Sequence, residues 1–348
     1  MKKKILCTIG PNSLNKEVLC KLEKLDCFLF RINLSHTRIE DLEYTINKIR
    51  DYSNVPICLD SEGAQIRTTK FSHNFKKDQI YTFNNTLSEF SLRPFTIISQ
   101  LNVGDLISID FNSVVVEVVE ILKDEIKVKT VSAGFSGENK AVTIMKDVEI
   151  PPFSDKDLKA FKIGSSLGIK NYALSFASDG KYVDQIRSLV PKDSFIISKI
   201  ESVSGLKNLL KIIKKSDAIL IDRGDLSREL SMEKIPVFQK AIIKNTRNLN
   251  KEVFVATNLL ESMIDKPSPT RAELNDIYNT LLDGATGLVL AAETAIGKFP
   301  VESALIARNL INCYNYFKNS SEIDFSDKNK VLDIIQTNLT EELWKNSQ

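Results

Sequence analysis

The chain has 348 residues, 43% of them hydrophobic and 26% charged, with 47 Lys and Arg against 45 Asp and Glu. That composition supplies a sizeable core, and a net charge of +2 spread along the chain gives no footing for nucleic acid or a membrane surface. Only two histidines are present, His36 and His73, which argues against a His-rich zinc centre and a Ser-His-Asp triad. Five cysteines (7, 20, 27, 58 and 313) without a CxxC pair read as thiols of a reducing, cytoplasmic compartment. The basic head runs directly into a short strand rather than the apolar core of a signal peptide. No apolar run is long enough to cross a bilayer.

Taken in order, KKILCTI (3–9) reads as a strand, and NSLNKEVLCKLEKL after it has helical spacing. CFLFRINLS is a second strand and RIEDLEYTINKIRDY an amphipathic helix, with Thr37 and Glu40 as its capping box. PICLDS is a third strand. Residues 69–149 then read as short β-runs, DQIYTF, PFTIIS, DLISID, SVVVEVVEIL and EIKVKTV, with no good helix among them. After Pro151-Pro152 the alternation returns: SDKDLKAFKIGSSLG helix, NYALSF strand, KYVDQIRSLV helix, FIISKIE strand, SGLKNLLKIIKK helix, AILIDRGDL strand. PVFQKAIIKNTRNL helix, EVFVAT strand, RAELNDIYNTLLDG helix capped by Thr270 and Glu273, GLVLAAE strand and VESALIARNLINCYNYF helix complete it. Eight strand–helix units point to a parallel (β/α)₈ TIM barrel with a small β domain inserted after strand 3. The expected domains are a barrel of 1–68 and 150–317, a β insert of 69–149, and a tail of 318–348 with one helix over VLDIIQTNLTEELW.

A (β/α)₈ barrel places its chemistry at the carboxyl ends of its strands. Thr8 and Pro11 stand there on strand 1, and Arg31, Asn33, Ser35 and His36 on strand 2. Asp60 and Ser61, with Arg67 beyond, follow on strand 3, Ser175 on strand 4, and Lys199 and Glu201 on strand 5. Arg223, Gly224 and Asp225 come on strand 6, Thr257 on strand 7, Glu293 and Thr294 on strand 8. Glu201 and Asp225 suit a hard cation such as Mg²⁺, with waters and substrate oxygens completing its octahedron. Lys199 and Arg31 would supply charge for a transferring or enolic oxygen, and Gly224 lets backbone N–H groups approach an anion. On these residues alone, a merely charged rim stands as the equal alternative.

In sequence along one barrel, CTIGPNS, FRINLSHT, CLDSEGAQIRT, SFASD, ISKIES, IDRGDL, VATNLLESM, PSPTRAEL and AAETAIGKFPVE resemble pyruvate kinase over residues 3–315. The resemblance implies phosphoryl transfer from phosphoenolpyruvate to ADP, giving pyruvate and ATP, with Mg²⁺ and usually K⁺. It makes Glu201 and Asp225 the Mg²⁺ carboxylates, Lys199 the lysine at the transferring phosphoryl group and Arg31 a phosphate contact. Gly224, Asp225 and Thr257 correspond to the substrate-carboxylate site, with protonation of the enolate near Thr257. Asn33, Ser35, Asp60 and Ser61 correspond to the K⁺ pocket. Arg67 and His36 match nucleotide-side positions, and Lys140 in AGFSGENKAVTIM a phosphate-facing lysine of the lid. Partners are small molecules, with neither nucleic acid nor membrane, and a homo-oligomer is left open.

Several positions depart from the family. LDSEGAQIRTT puts Glu62, Ala64 and Gln65 where a lysine, a proline and an acid are usual, and that acid is linked to the K⁺ requirement. Asp222 stands where a small residue is usual, either close to the anionic substrate or turned to the outer barrel layer. Ala291-Ala292-Glu293-Thr294 loses a hydroxyl assigned to proton delivery, Lys140 to Met145 differ from the usual lid run, and SFASD lacks the usual arginine. The C-terminal α/β domain of the family has no counterpart in these residues, so effector control of the usual kind is not expected. Two other readings stay open: a Mg²⁺-dependent enolpyruvate enzyme with another acceptor or a lyase reaction, and a metabolite-binding homologue without catalysis.

Overall fold

Eight short strands with apolar residues on both faces build the centre of the molecule: β1 (Lys4–Thr8), β2 (Leu29–Asn33), β3 (Ile57–Asp60), β4 (Asn171–Leu174), β5 (Phe195–Ile200), β6 (Ala218–Asp222), β7 (Glu252–Ala256) and β8 (Gly287–Leu290). Each pairs in parallel with its neighbours, and β8 returns to β1 to close the barrel. The computed structural model describes residues 2–63, 65–86, 88–110, 112–146, 148–318, 326–329 and 331–332. Within them, residues up to Glu62 and from Asp155 onward form one compact unit and Gly63–Ser154 a second. The tail helix expected over 331–344, with Trp344, lies outside the described residues beyond Leu332. No described helix is long and apolar enough to cross a membrane.

Strand periodicity sorts the barrel residues into two sets. Leu6, Leu29, Cys58, Ala173, Ile197, Ala218, Leu220, Phe254, Ala256 and Val289 form one buried cluster, joined by Phe28 and Phe195. Ile5, Phe30, Leu59, Tyr172, Ile196, Ile219, Val253 and Leu288 alternate with them and are also buried. Being apolar on both faces is what a parallel strand covered by helices requires. Near the amino ends, Phe28 stacks on Phe254 with centroids 6.3 Å apart and meets Phe195 edge-on at 6.5 Å.

The covering helices follow the expected order, among them Lys16–Lys24, Leu42–Arg50, Asp155–Ser166, Ile235–Asn248, Arg271–Leu282 and Pro300–Phe317. The Thr270–Glu273 capping box forms, each side chain bonding the other's backbone N–H. The Thr37–Glu40 box does not form: a 3₁₀ turn at Ile39–Asp41 precedes the helix, and Arg38 pairs with Asp41 at 2.8 Å instead. The helix read over 204–215 is broken into Val203–Lys207 and Leu209–Lys215, since Asn208 between them donates to Ser178 O at 2.9 Å.

The second unit has its own core, including Phe75, Phe83, Leu92, Ile107, Val116 and Val128. Its main sheet is antiparallel, ordered Val142–Ile144, Leu106–Ile109, Val114–Ile121, Glu125–Ser132, Ile80–Asn84. PFTIIS, expected as a β-run, is a 3₁₀ helix, Phe95–Gln100. Ile97 and Ile98 are both buried, and Ser99 and Gln100 bond back to Thr96 O across the turn.

Gly287 lies opposite Phe254 in the barrel register, and a Cβ there would stand 2.3 Å from the Phe254 ring and 3.2 Å from Lys4 O. Gly287→Ala is therefore expected to destabilise the fold by about 1–3 kcal/mol through overpacking. Urea unfolding checks this, and an unchanged midpoint would show that the Phe254 ring has room to move.

Candidate active site at the carboxyl rim of the barrel

Two residues along from members of the buried cluster, the same strand faces turn polar. Leu6 leads to Thr8, Leu29 to Arg31, Cys58 to Asp60, Ala173 to Ser175, Ile197 to Lys199 and Leu220 to Asp222. Period two thus delivers these side chains into the mouth of the barrel above its apolar layer. Arg31, Asp60, Lys199, Glu201 and Asp222 are all buried there.

Asp60, fully buried on β3, is the hub. Its Oδ2 accepts from Arg31 Nε at 2.6 Å and lies 3.2 Å from Lys199 Nζ. Arg31 also donates to Thr8 Oγ1 at 2.9 Å. Lys199 reaches Ser175 Oγ at 3.1 Å and Glu201 Oε1 at 2.9 Å. Burial disfavours the Lys199 charge, yet Asp60 and Glu201 outweigh it and hold the ammonium above its ordinary pKa. For Arg31, Asp60 and Asp222 likewise outweigh the cost of burial.

Glu201, just past β5, accepts the Phe176 N–H through Oε2 at 2.6 Å, a bond made possible by the left-handed backbone of Phe176 (φ 50°). Its buried Oε1 accepts no hydrogen bond among the described residues, having only the Lys199 ion pair. Burial, reinforced by Asp222, Asp225 and Asp60, pushes its carboxyl up to about 8, and Lys199 pulling the other way does not overcome this.

β6 ends at Asp222, and Arg223–Leu226 is a helical turn rather than a continuation of the strand. Asp222 caps that turn through Oδ1, which lies 3.4 Å from Asp225 N and accepts from Thr257 Oγ1 at 2.7 Å. Asp222 faces the site and not the outer barrel layer. Leu220, on the same face, is the sequence signal for that. Burial raises its pKa, but Lys199, the Thr257 hydroxyl and Arg31 together bring it below the usual carboxylate range. Thr257 has φ 71°, a strained conformation for a β-branched residue, and its hydroxyl also accepts the Gly224 N–H at 3.2 Å. Arg223 turns away to Thr257 O and Asp276. Asp225, half-buried beside Arg228 at 2.9 Å, is raised by burial and by Asp222.

One oxygen each of Glu201, Asp222 and Asp225 lie within 4.8 Å of one another, a donor set of the kind a hard divalent cation takes. Asn33 pairs in register with Asp60 across β2 and β3, while Ser61 Oγ accepts the Ser175 N–H at 2.9 Å. Ser35 and His36 are exposed on the loop after β2, and Ser35 donates its N–H to Asn33 Oδ1 at 2.9 Å. Glu293 and Thr294 bind backbone instead: Glu293 accepts from Leu260 N and Ala291 N, and Thr294 donates to Thr8 O. Arg67 and Lys140 belong to the second unit, where Arg67 bonds Gln65 and Asn139 O and Lys140 pairs with Asp110 at 3.2 Å. Cys7 and Cys58 are buried as free thiols, as expected for small core residues.

Replacing Asp60 with Ala would leave Arg31 and Lys199 buried without their shared counter-charge. Asp60→Ala is expected to cost about 3–5 kcal/mol in urea unfolding. A loss below about 1 kcal/mol, the range of an exposed pair, would contradict the central place given to Asp60.

A family model described as "Pyruvate kinase, barrel domain" matches residues 1–304. The pyruvate kinase of Thermotoga maritima is 34% identical over 98% of this chain and 77% of its own length. That of Thermoplasma acidophilum is 34% identical over 94% of this chain and 60% of its length. Plastidial pyruvate kinase 3 of Arabidopsis thaliana is 32% identical over 87% of this chain, which spans 56% of the relative's length. With residues 1–304 matched by that family model and the barrel closed, the chain belongs to the pyruvate kinase family.

Proposed function

We propose that this chain is a phosphotransferase that moves the phosphoryl group of phosphoenolpyruvate to ADP, giving pyruvate and ATP. The observation that carries the proposal is the convergence of Arg31 and Lys199 on Asp60 beside the Glu201, Asp222 and Asp225 carboxylates. Phosphoryl transfer asks for positioning and spread positive charge rather than a strong base, and a site without histidine meets that need.

Glu201 and Asp225 would hold the Mg²⁺. The buried Glu201 Oε1, without a hydrogen bond, and the all-carboxylate donor set both fit such an ion. When bound, the cation supplies charge neutralisation to phosphoryl and enolate oxygens. Lys199, held by Asp60, Ser175 and Glu201, presents its ammonium to the phosphoryl group as the bond to the enol oxygen breaks and that to the acceptor oxygen forms. Arg31 supplies a second fixed cation. Gly224, Asp225 and Thr257 are read as the wall that receives the substrate carboxylate, with Thr257 nearest the carbon that takes a proton. Asn33, Ser35, Asp60 and Ser61 are read as a K⁺ pocket at the adjoining ends of β2 and β3. His36, Arg67 and Lys140 are assigned to the nucleotide side. The changed residues Glu62 and Gln65 favour a second reading, in which the enolpyruvate site is kept and the acceptor differs.

Phosphorus NMR of phosphoenolpyruvate with the protein, ADP, Mg²⁺ and K⁺ tests this. The expected result is loss of the phosphoenolpyruvate signal as ATP appears, with Lys199→Met slowing turnover roughly a hundred- to a thousand-fold. Persistence of phosphoenolpyruvate, while oxalate with Mg²⁺ still raises the melting temperature, would select the other acceptor.

A further inference from the structure

The barrel mouth gathers more carboxyl groups than cations. Asp60, Glu201, Asp222 and Asp225 face Arg31 and Lys199, and Arg228 meets Asp225 from a more exposed side. Arg223 contributes nothing to the balance, being engaged with Asp276. Asp222 is the residue in excess, because a small residue is usual there in the family.

The two oxygens of Asp222 have different duties. Oδ1 is committed to the Thr257 hydroxyl and the Asp225 N–H. Oδ2 makes no hydrogen bond among the described residues, and its cationic neighbour Lys199 is 3.9 Å away, too far for one. The side chain is 11% exposed, and this oxygen stands at the mouth without a hydrogen-bonding partner among the described residues. The buried Oε1 of Glu201 is likewise without a hydrogen bond. Glu201, Asp222 and Asp225 each offer an oxygen to the same cluster.

We propose that Asp222 is a third carboxylate ligand of the divalent-cation site, so that this chain holds the cation more tightly than a two-carboxylate rim would. The inference rests on Glu201 and Asp225 being cation ligands, as read above. Two carboxylates usually leave Mg²⁺ dependent on substrate oxygens, whereas affinity rises with the charge count of the donor set. A third carboxylate therefore strengthens the protein's own hold on the ion. It also repels an anionic substrate until the ion is present, so cation first and substrate second is the favoured order. Thr257 and the turn at Arg223–Leu226 keep Asp222 in place and so are positioning groups for this ligand.

Electron paramagnetic resonance of Mn²⁺ titrated into the full chain, without phosphoenolpyruvate or nucleotide, tests the proposal. The unaltered protein is expected to hold one Mn²⁺, and Asp222→Ala to weaken it by ten-fold or more. Asp222→Asn is the second variant, since it keeps an acceptor oxygen for Thr257 and Asp225 and removes the second carboxylate oxygen together with the charge. It should show the same loss with its melting temperature preserved. The proposal is overturned if the unaltered protein holds no Mn²⁺ without substrate. It is equally overturned if both variants bind Mn²⁺ as tightly as the parent, or if the ion survives Asp225→Asn with Asp222→Asn and so lies elsewhere. Asp222-dependent Mn²⁺ binding without phosphoryl transfer to ADP would instead leave this inference standing and reject the kinase reading.

Discussion

A single carboxylate, buried on the third strand, holds the rim of this barrel together. Asp60 meets the guanidinium of Arg31 from one neighbouring strand and the ammonium of Lys199 from two strands away, with Ser175 between them. Charges brought out of water are tolerated only when paired and hydrogen-bonded. Arg31 and Lys199 can stand deep in the mouth because Asp60 compensates both, and their directions are fixed for the same reason. The acidic group of Glu201, Asp222 and Asp225 then lies on the far side of Lys199, so the site is ordered as carboxylate, cations, carboxylates. Alternation of this kind keeps each charge near its opposite and concentrates the field at the barrel opening.

Much of this arrangement is legible in the sequence, because a barrel strand obeys one simple rule. Residues two apart share a face, so the apolar Leu29 and Ile197 already imply where Arg31 and Lys199 point. The same rule applied to Leu220 puts Asp222 inside, and the departure from the family at this position then bears directly on the site. Where backbone geometry decides, the sequence is a poorer guide. The left-handed conformations of Phe176 and Thr257 carry no compositional signal, since neither is Gly or Asn, yet they aim an N–H at Glu201 and a hydroxyl at Asp222. The run PFTIIS has strand-like composition, yet it folds as a 3₁₀ helix in which the Ser99 and Gln100 side chains bond back to Thr96 O. Thr37 and Glu40 have capping-box spacing, but the Arg38–Asp41 pair occupies that turn.

Family membership and the chain's departures from the family act on different parts of the site. The residues assigned above to phosphoryl and enolate charge, Arg31, Lys199, Glu201 and Asp225, stand in one rim, where Arg31 and Lys199 share Asp60 and Lys199 also pairs with Glu201. The changed positions sort otherwise. Glu62 pairs with Lys156 and donates its N–H to Asp157, while Gln65 bonds Arg67. Each has found a local partner, so those changes read as rewired neighbourhoods rather than vacated ones. Asp222 differs in kind: one of its oxygens is woven into the turn before Asp225, and the other makes no hydrogen bond among the described residues.

The aromatic floor of the barrel adds a constraint of a different sort. Phe28 stacks on Phe254 and meets Phe195 at the foot of the apolar layer, and a side chain at residue 287 would press on the Phe254 ring. The polar residues of the mouth therefore rest on a layer that offers them no polar atom, and Arg31 and Lys199 must find their partners sideways, on Thr8, Asp60 and Ser175 of other strands.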